Sequence, residues 1–295
     1  MLLVIPAASA SAWGGTGHST VAKIAENHLT KKARKALDKY LDGKTLHEVA
    51  SDGDKFRPVW VEDIGREIAN PQSFRFKSWR DKFDWTLPSN IEPYPHTFTV
   101  TDNCKPVREL FETIEGKDYE ISNCVWFLEK FIKELKEGAE TMDPEERSKK
   151  IRMIVHWLGD MHCPGHVTFT GENGGVSGKT SFNIKIGEKK SNLHKFWDSG
   201  IFTLAFDGKK YIGMTELSDG YNGVKFSKKA VKGDVWDWAG ENAEIAYRAR
   251  IYDGQPIVKN RSLPESFPSE MKDICLTQLR NGGYRLAAVM NYIFK

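Results

Sequence analysis

Apolar residues recur at helical spacing over much of this chain. After Trp13-Gly-Gly-Thr-Gly-His18, the positions Val21, Ile24, Ala25 and His28 or Leu29 share one face and predict an amphipathic helix. Thr30 caps a second helix carrying Ala33, Leu37 and Leu41, and Gly43 stops it. Thr45-Leu-His-Glu48 reads as a capping box for a third, which leads into Asp52-Gly-Asp-Lys-Phe-Arg57. Residues 58–103 break the pattern: prolines and aromatics with little periodicity predict a long excursion over the surface. Helical spacing returns behind Ser122 as a cap, through Val125, Phe127, Leu128, Phe131 and Leu135. Asp143-Pro-Glu-Glu146 supplies a cap, a proline and first-turn acid for the next helix, which Pro164 should close. Residues 170–191 are glycine-rich and then alternate at Ser181-Phe-Asn-Ile-Lys-Ile186, a hairpin or small ribbon. Two last helices are expected near 235–251 and 271–294. No repeat or linker divides the chain, so the fold class expected is all-α: one mainly helical domain with one or two small β-ribbons.

Composition narrows the function classes. Charged residues make up 28% of the 295 positions, which excludes a disordered chain, and a net charge of +3 provides no strong basic field for nucleic acid. The first twelve residues are apolar and then small, and Ala10-Ser11-Ala12 fits a signal-peptidase site. A positive leading region is missing, so the leader reads as truncated at its start. The alternative is a short buried N-terminal helix. A cleaved leader leaves a domain of residues 13–295 that begins at Trp13 and is secreted or periplasmic. No other stretch approaches the length of a membrane span, so no membrane anchor is expected. The four cysteines show no Cys-x-x-Cys spacing. In an oxidising compartment Cys104 and Cys124 are open to pairing, and Cys163 is either a buried thiol or a ligand.

The histidines carry the chemistry. His156-Trp-Leu-Gly-Asp-Met-His-Cys-Pro-Gly-His166 holds three of the eight. His156 and Asp160 are four apart and project from one helix face, a spacing that offers a nitrogen and an oxygen to one metal or metal pair. His166 follows the helix end, whereas His162 points elsewhere and reads as core or supporting. His194 and Asp198, in Asn192-Leu-His-Lys-Phe-Trp-Asp198, repeat the four-residue His/Asp arrangement. His18 lies five residues from the expected mature terminus, and His96 follows a proline-rich turn. His28 and His47 read as structural. The nitrogen and oxygen donors suit zinc.

These motifs resemble the zinc-dependent single-strand-specific nucleases of fungi and plants, which share an all-helical fold with bacterial zinc phospholipases C. The resemblance runs from Trp13 nearly to the C-terminus. It rests on W-G-x-x-G-H at Trp13–His18, the aspartate and arginine at Asp54 and Arg57, and the two histidine clusters. Trp238-Ala-Gly-Glu-Asn and Gln278-Leu-Arg-Asn-Gly-Gly-Tyr-Arg-Leu-Ala287 extend it to the last helices.

The resemblance implies three zinc ions. Asp54, His96, His156 and Asp160 would hold the first, and His166, His194 and Asp198 the second. The third would take the α-amino nitrogen and carbonyl of Trp13 with His18, Asp160 bridging to the first. Asp160 and Arg57 would be the catalytic residues, Arg57 by neutralising charge in the transition state or by pairing with Asp54. The implied reaction is hydrolysis of single-stranded DNA or RNA to 5′-phosphate products, with 3′-nucleotides as further substrates, by a monomer. Three departures stand out. The family has Trp-His-Tyr where this chain has Pro95-His-Thr, His-Gln-Pro-Leu-His where it has His162-Cys-Pro-Gly-His166, and Gly-Gly-Asn near Gly178-Lys-Thr180. The aromatic stretch 58–95, with Trp60, Trp79 and Trp85, is longer than usual and is open to base stacking or to covering the core. Two other readings remain. A phospholipase C-like esterase would usually end its last cluster in Glu, whereas this chain has Asp198, and the altered 178–180 region favours a metal-binding protein without catalysis.

Overall fold

The computed structural model describes residues 13–55, 58–61, 66–69, 96–108, 111–114, 117–120, 123–170, 180–206 and 227–295. The expected leader, Arg57, Trp79, Trp85 and Gly178 lie outside them. Helices dominate: α1 (Gly14–Asn27), α2 (Lys31–Tyr40), α3 (Leu46–Val49), α4 (Asp52–Lys55), α5 (Cys124–Gly138) and α6 (Pro144–Met161) come first. Short turns α7 (Leu193–Lys195) and α8 (Ile201–Ala205) follow, then α9 (Val235–Arg248), α10 (Phe267–Glu270) and α11 (Lys272–Ile293).

Local signals account for most ends. Thr30 Oγ1 accepts from the Ala33 amide at 3.2 Å, and Gly43, at φ 76°, closes α2 by donating to the Asp38 carbonyl. The Thr45/Glu48 capping box forms. For α5 the cap is Asn123, one residue after Ser122; its side chain accepts from the Val125 and Trp126 amides. Asp143 caps α6 as expected, accepting from the Glu145 and Glu146 amides. That helix stops at Met161, earlier than Pro164 requires. Cys163, preceding the proline, is already extended at ψ 120°.

The core is the space between α1, α5, α6 and α11. Trp157 stacks on Phe127 at 5.3 Å between ring centroids and tilts against Phe131. α1 lies close on α11: a Cβ on Gly283 would come within 2.4 Å of the Ile24 side chain. From Ser148 to Met161 every residue of α6 is buried, so this helix is covered on all sides.

Five small sheets occur among the described residues, where one or two ribbons were expected. β1 (Pro58–Val61) and β2 (Arg66–Ala69) form an antiparallel hairpin, as do β4 (Phe111–Ile114) and β5 (Lys117–Glu120). β3 (Phe98–Val100) pairs in parallel with β6 (Val167–Phe169), and its Phe98 and Val100 are buried. The surface excursion expected through residue 103 therefore re-enters the core. β7 (Asn183–Ile186) and β8 (Lys189–Asn192) make the hairpin the alternation predicts. β9 (Ile251–Tyr252) pairs with β10 (Gln255–Pro256), and β11 (Ser262–Leu263) adds in parallel to β7. The two parallel pairings, β3 with β6 and β11 with β7, join short segments far apart in sequence, which periodicity does not show.

Candidate metal centre

The site begins with two polar side chains on the buried helix α6. His156 and Asp160 sit one turn apart with Nε2 3.3 Å from Oδ2. The Ala50 carbonyl faces His156 Nδ1 at 3.0 Å, which puts that proton there and aims Nε2 at Asp160 and at Asp54 Oδ1, 3.5 Å away. α1 delivers His18, whose ring stacks on His156 at 4.1 Å and whose Nε2 lies 3.2 Å from Asp160 Oδ1. Two glycines allow this approach. A Cβ at Gly53 would fall 2.4 Å from the His156 ring, and one at Gly159 would fall 2.5 Å from His18 Nδ1.

A second group forms where the chain turns beyond α6. The one-turn 3-10 helix Pro164–His166 folds back so that His166 Nδ1 meets the Asp160 carbonyl at 3.1 Å and Nε2 meets Asp198 Oδ1 at 3.0 Å. His166 Nδ1 is also 3.5 Å from Asp160 Oδ1, so Asp160 adjoins both groups. His194 reaches Asp198 Oδ2 at 3.2 Å across a π-helical turn, Phe196–Gly200. Such widened turns recur at functional sites. Thr180 anchors His194 from the strand side: its carbonyl accepts the His194 amide, and its hydroxyl lies 3.2 Å from Nδ1.

His96 falls in this second group. Its ring meets those of His166 and His194 edge-on at 4.7 and 5.4 Å. The resemblance implied a place beside Asp54 and His156. The parallel register explains the difference: Phe98 pairs with Val167, which brings His96 alongside His166. Trp13 is fully buried at the left-handed N-cap of α1, with its carbonyl accepting from the Gly17 amide. A Cβ on the next residue, Gly14, would come 3.1 Å from the Asp198 carbonyl oxygen, so the start of α1 lies against the second group.

The electrostatics are those of donors gathered for a cation. Asp160 is fully buried, and neither of its oxygens accepts a hydrogen bond among the described residues. Burial lowers the basicity of His156, but Asp160 and Asp54 outweigh it and raise the ring to about 9. For His18 burial prevails, helped by its neighbour His156, and its pKa falls. Burial opposes protonation of His166 too, yet Cys163 and Asp198 raise it well above the usual range. Asp198 is held below the ordinary carboxylate range against the cost of burial, through its bonds to His166 and His194. Stacked imidazoles facing a buried carboxylate make a costly arrangement for protons alone. Divalent ions satisfy carboxylate and imidazole together, and this donor set fits zinc.

His162 takes no part in either group. Its Nδ1 meets the Leu158 carbonyl at 2.7 Å and its Nε2 meets Arg285 Nη1 at 3.0 Å; burial and that guanidinium push its pKa well down. Gln278 and Asn242 complete this network by donating to the His162 and Met161 carbonyls. Thus the C-terminal motif braces the end of α6. Sequence reasoning missed the carbonyl of Ala50, and it noted Thr180 only as a departure. Backbone acceptors have no sequence signature. All four cysteines are free, Cys104 half-buried and the others buried.

The comparisons agree with this architecture. The model of the S1/P1 Nuclease family matches residues 13–295. The chain is 23% identical over 298 residues to Endonuclease 4 of Arabidopsis thaliana, covering 96% of this chain and 89% of the relative. It is 21% identical to Nuclease P1 of Penicillium citrinum, with 95% and 97% covered, and 21% identical to Nuclease S1 of Aspergillus oryzae, with 95% and 91% covered. From the Trp13 motif to the last helix, the chain belongs to the S1/P1 nuclease family and is a nuclease that hydrolyses phosphodiester bonds.

Proposed function

We propose that this protein is an exported zinc nuclease that cuts single-stranded DNA or RNA to 5′-phosphate products and also accepts 3′-nucleotides. The observation that carries the reading is Asp160: a fully buried carboxylate with ring nitrogens of His18, His156 and His166 at 3.2–3.5 Å and, among the described residues, no hydrogen bond to either oxygen. In this reading Asp54, His156 and Asp160 hold one zinc, and His166, His194 and Asp198 hold a second. His96 joins the second group, a choice supported by its ring contacts. A third ion would take His18 and, after cleavage behind Ala12, the amino nitrogen and carbonyl of Trp13, next to Asp160.

When bound, zinc supplies Lewis acidity, which acidifies water and neutralises charge on a phosphate. The chain's own residues supply position. The Ala50 and Asp160 carbonyls fix which nitrogen of His156 and His166 faces inward, and Thr180 steadies His194. Arg57, two residues beyond α4, is proposed to neutralise developing charge on the phosphorus oxygens. The recessed ligands favour a strand able to leave its stack, and with a net charge of +3 the ions outweigh any basic groove in phosphate affinity. Export is supported by the Ala10-Ser11-Ala12 site, and no helix of the described residues is long and apolar enough to cross a membrane.

The test uses protein beginning at Trp13, loaded with zinc and assayed on single-stranded DNA, duplex DNA, a 3′-nucleotide and phosphatidylcholine. Turnover of single strands and the 3′-nucleotide, with 5′-phosphate ends, is expected. Hydrolysis confined to phosphatidylcholine would replace the reading with a phospholipase C-like one. Full zinc with no turnover on any substrate would leave a metal-binding protein.

A further inference from the structure

Ser148, Arg152, His156 and Asp160 follow one another at steps of four along α6 and form one ridge of that helix. His156 and Asp160 belong to the metal centre; Arg152, one turn earlier, does not. Its guanidinium is buried: Nη1 donates to Asp52 Oδ2, and Nε donates to Ser148 Oγ at 3.2 Å. Asp52 is buried as well and opens α4, the one-turn helix that carries Asp54. A single turn has little stability of its own, so the direction of the Asp54 carboxylate depends on what holds that turn. Two contacts seat it on His156: the Ala50 carbonyl at 3.0 Å from Nδ1, and Gly53, where a Cβ would fall 2.4 Å from the ring. Both bear on the same ring, and neither opposes a swing of the turn about it. Arg152 lies about 6 Å from His156 along the helix axis and supplies a third point of attachment that stops the swing. Asp54 Oδ1 then stays 3.5 Å from His156 Nε2.

We propose that Asp52 and Arg152 are positioning residues: their buried ion pair holds α4 at the angle that presents the Asp54 carboxylate to the ion it shares with His156 and Asp160. This inference rests on the zinc reading of the site. Neither side chain is assigned to an ion, and both act through Asp54. A buried ion pair is a poor source of stability, because apolar side chains of similar size in its place are often as stable or more so. Fixing one arrangement against its alternatives is the better-attested use of such a pair.

Zinc titration against a competing chelator, with thermal unfolding of each variant alongside, separates positioning from bracing without an activity assay. Asp52→Asn should weaken one zinc by about 10- to 100-fold, the range typical of groups that orient a metal ligand. The double variant Asp52→Leu/Arg152→Leu should weaken the same zinc while its melting temperature holds or rises, because it buries no charge. In an Asp54→Asn background, where that zinc is already weakened, adding Asp52→Asn should cost no more than about a further twofold. Unchanged zinc affinity in the Asp52→Asn and double variants, or loss of folding in both, would overturn the proposal and leave the pair a structural brace. Losses that multiply in full with Asp54→Asn would overturn it by showing that the pair does not act through Asp54. An unaltered protein that binds no zinc would overturn the zinc reading and the proposal together.

Discussion

Asp160 and His162 are two residues apart on one buried helix end, and the structure gives them opposite duties. Asp160 faces three imidazoles and, among the described residues, no hydrogen-bond donor of good geometry, so removing its carboxylate removes the charge around which the donors gather. His162 instead spans the Leu158 carbonyl and Arg285. Asp160→Ala should therefore lose more zinc than any other single ligand change and abolish hydrolysis. His162→Ala should keep its zinc but lose stability by about 2–5 kcal/mol, through a cavity and a buried guanidinium short of a partner. Metal analysis together with urea unfolding of both variants checks the contrast. Full zinc in the Asp160 variant would remove that residue from the centre of the site.

At the scale of elements, the site depends on how closely α1 and α4 approach α6. Gly159 lies in the interior of α6, where alanine ordinarily stabilises a helix by about 1 kcal/mol. Here an added methyl would meet the His18 ring at 2.5 Å, nearer than side chains approach. Gly159→Ala should therefore keep its helical circular dichroism while binding less zinc, the His18 ring having moved off Asp160. An unchanged zinc content with a raised melting temperature would mean that the approach of α1 is not set by this glycine. Gly53 plays the matching part for α4 beneath His156.

The whole molecule brings α1 and α11 together at the site. α11 braces the turn after α6 through Gln278 and Arg285, while the Trp13–Gly14 corner packs against the Asp198 backbone. If the amino group of Trp13 is a ligand, its position in the chain matters as much as its identity. A terminal amine has an ordinary pKa of about 7.7–8.0, so zinc displaces its proton near neutrality, and a peptide nitrogen has no comparable lone pair. Protein beginning at Trp13 should bind one more zinc and cut faster than the same protein with one glycine added before it. Equal zinc and equal rates would remove the terminal ligand and leave a two-metal enzyme.

Sequence by itself determined what each element presents. The His156/Asp160 and His194/Asp198 spacings, the Asp143-Pro144 start of α6 and the helical periodicity were legible because they depend on residues within a turn or two of one another. Tertiary structure decided the grouping. His96 joins His166 because two short strands pair in parallel, and His18 stacks on His156 because α1 and α6 approach where Gly159 leaves room. The Ala50 carbonyl orients His156 from another helix, and Thr180 holds His194 across the hairpin that precedes it. Such contacts arise when distant segments pack, and a carbonyl or the empty side of a glycine leaves no periodic mark in the chain.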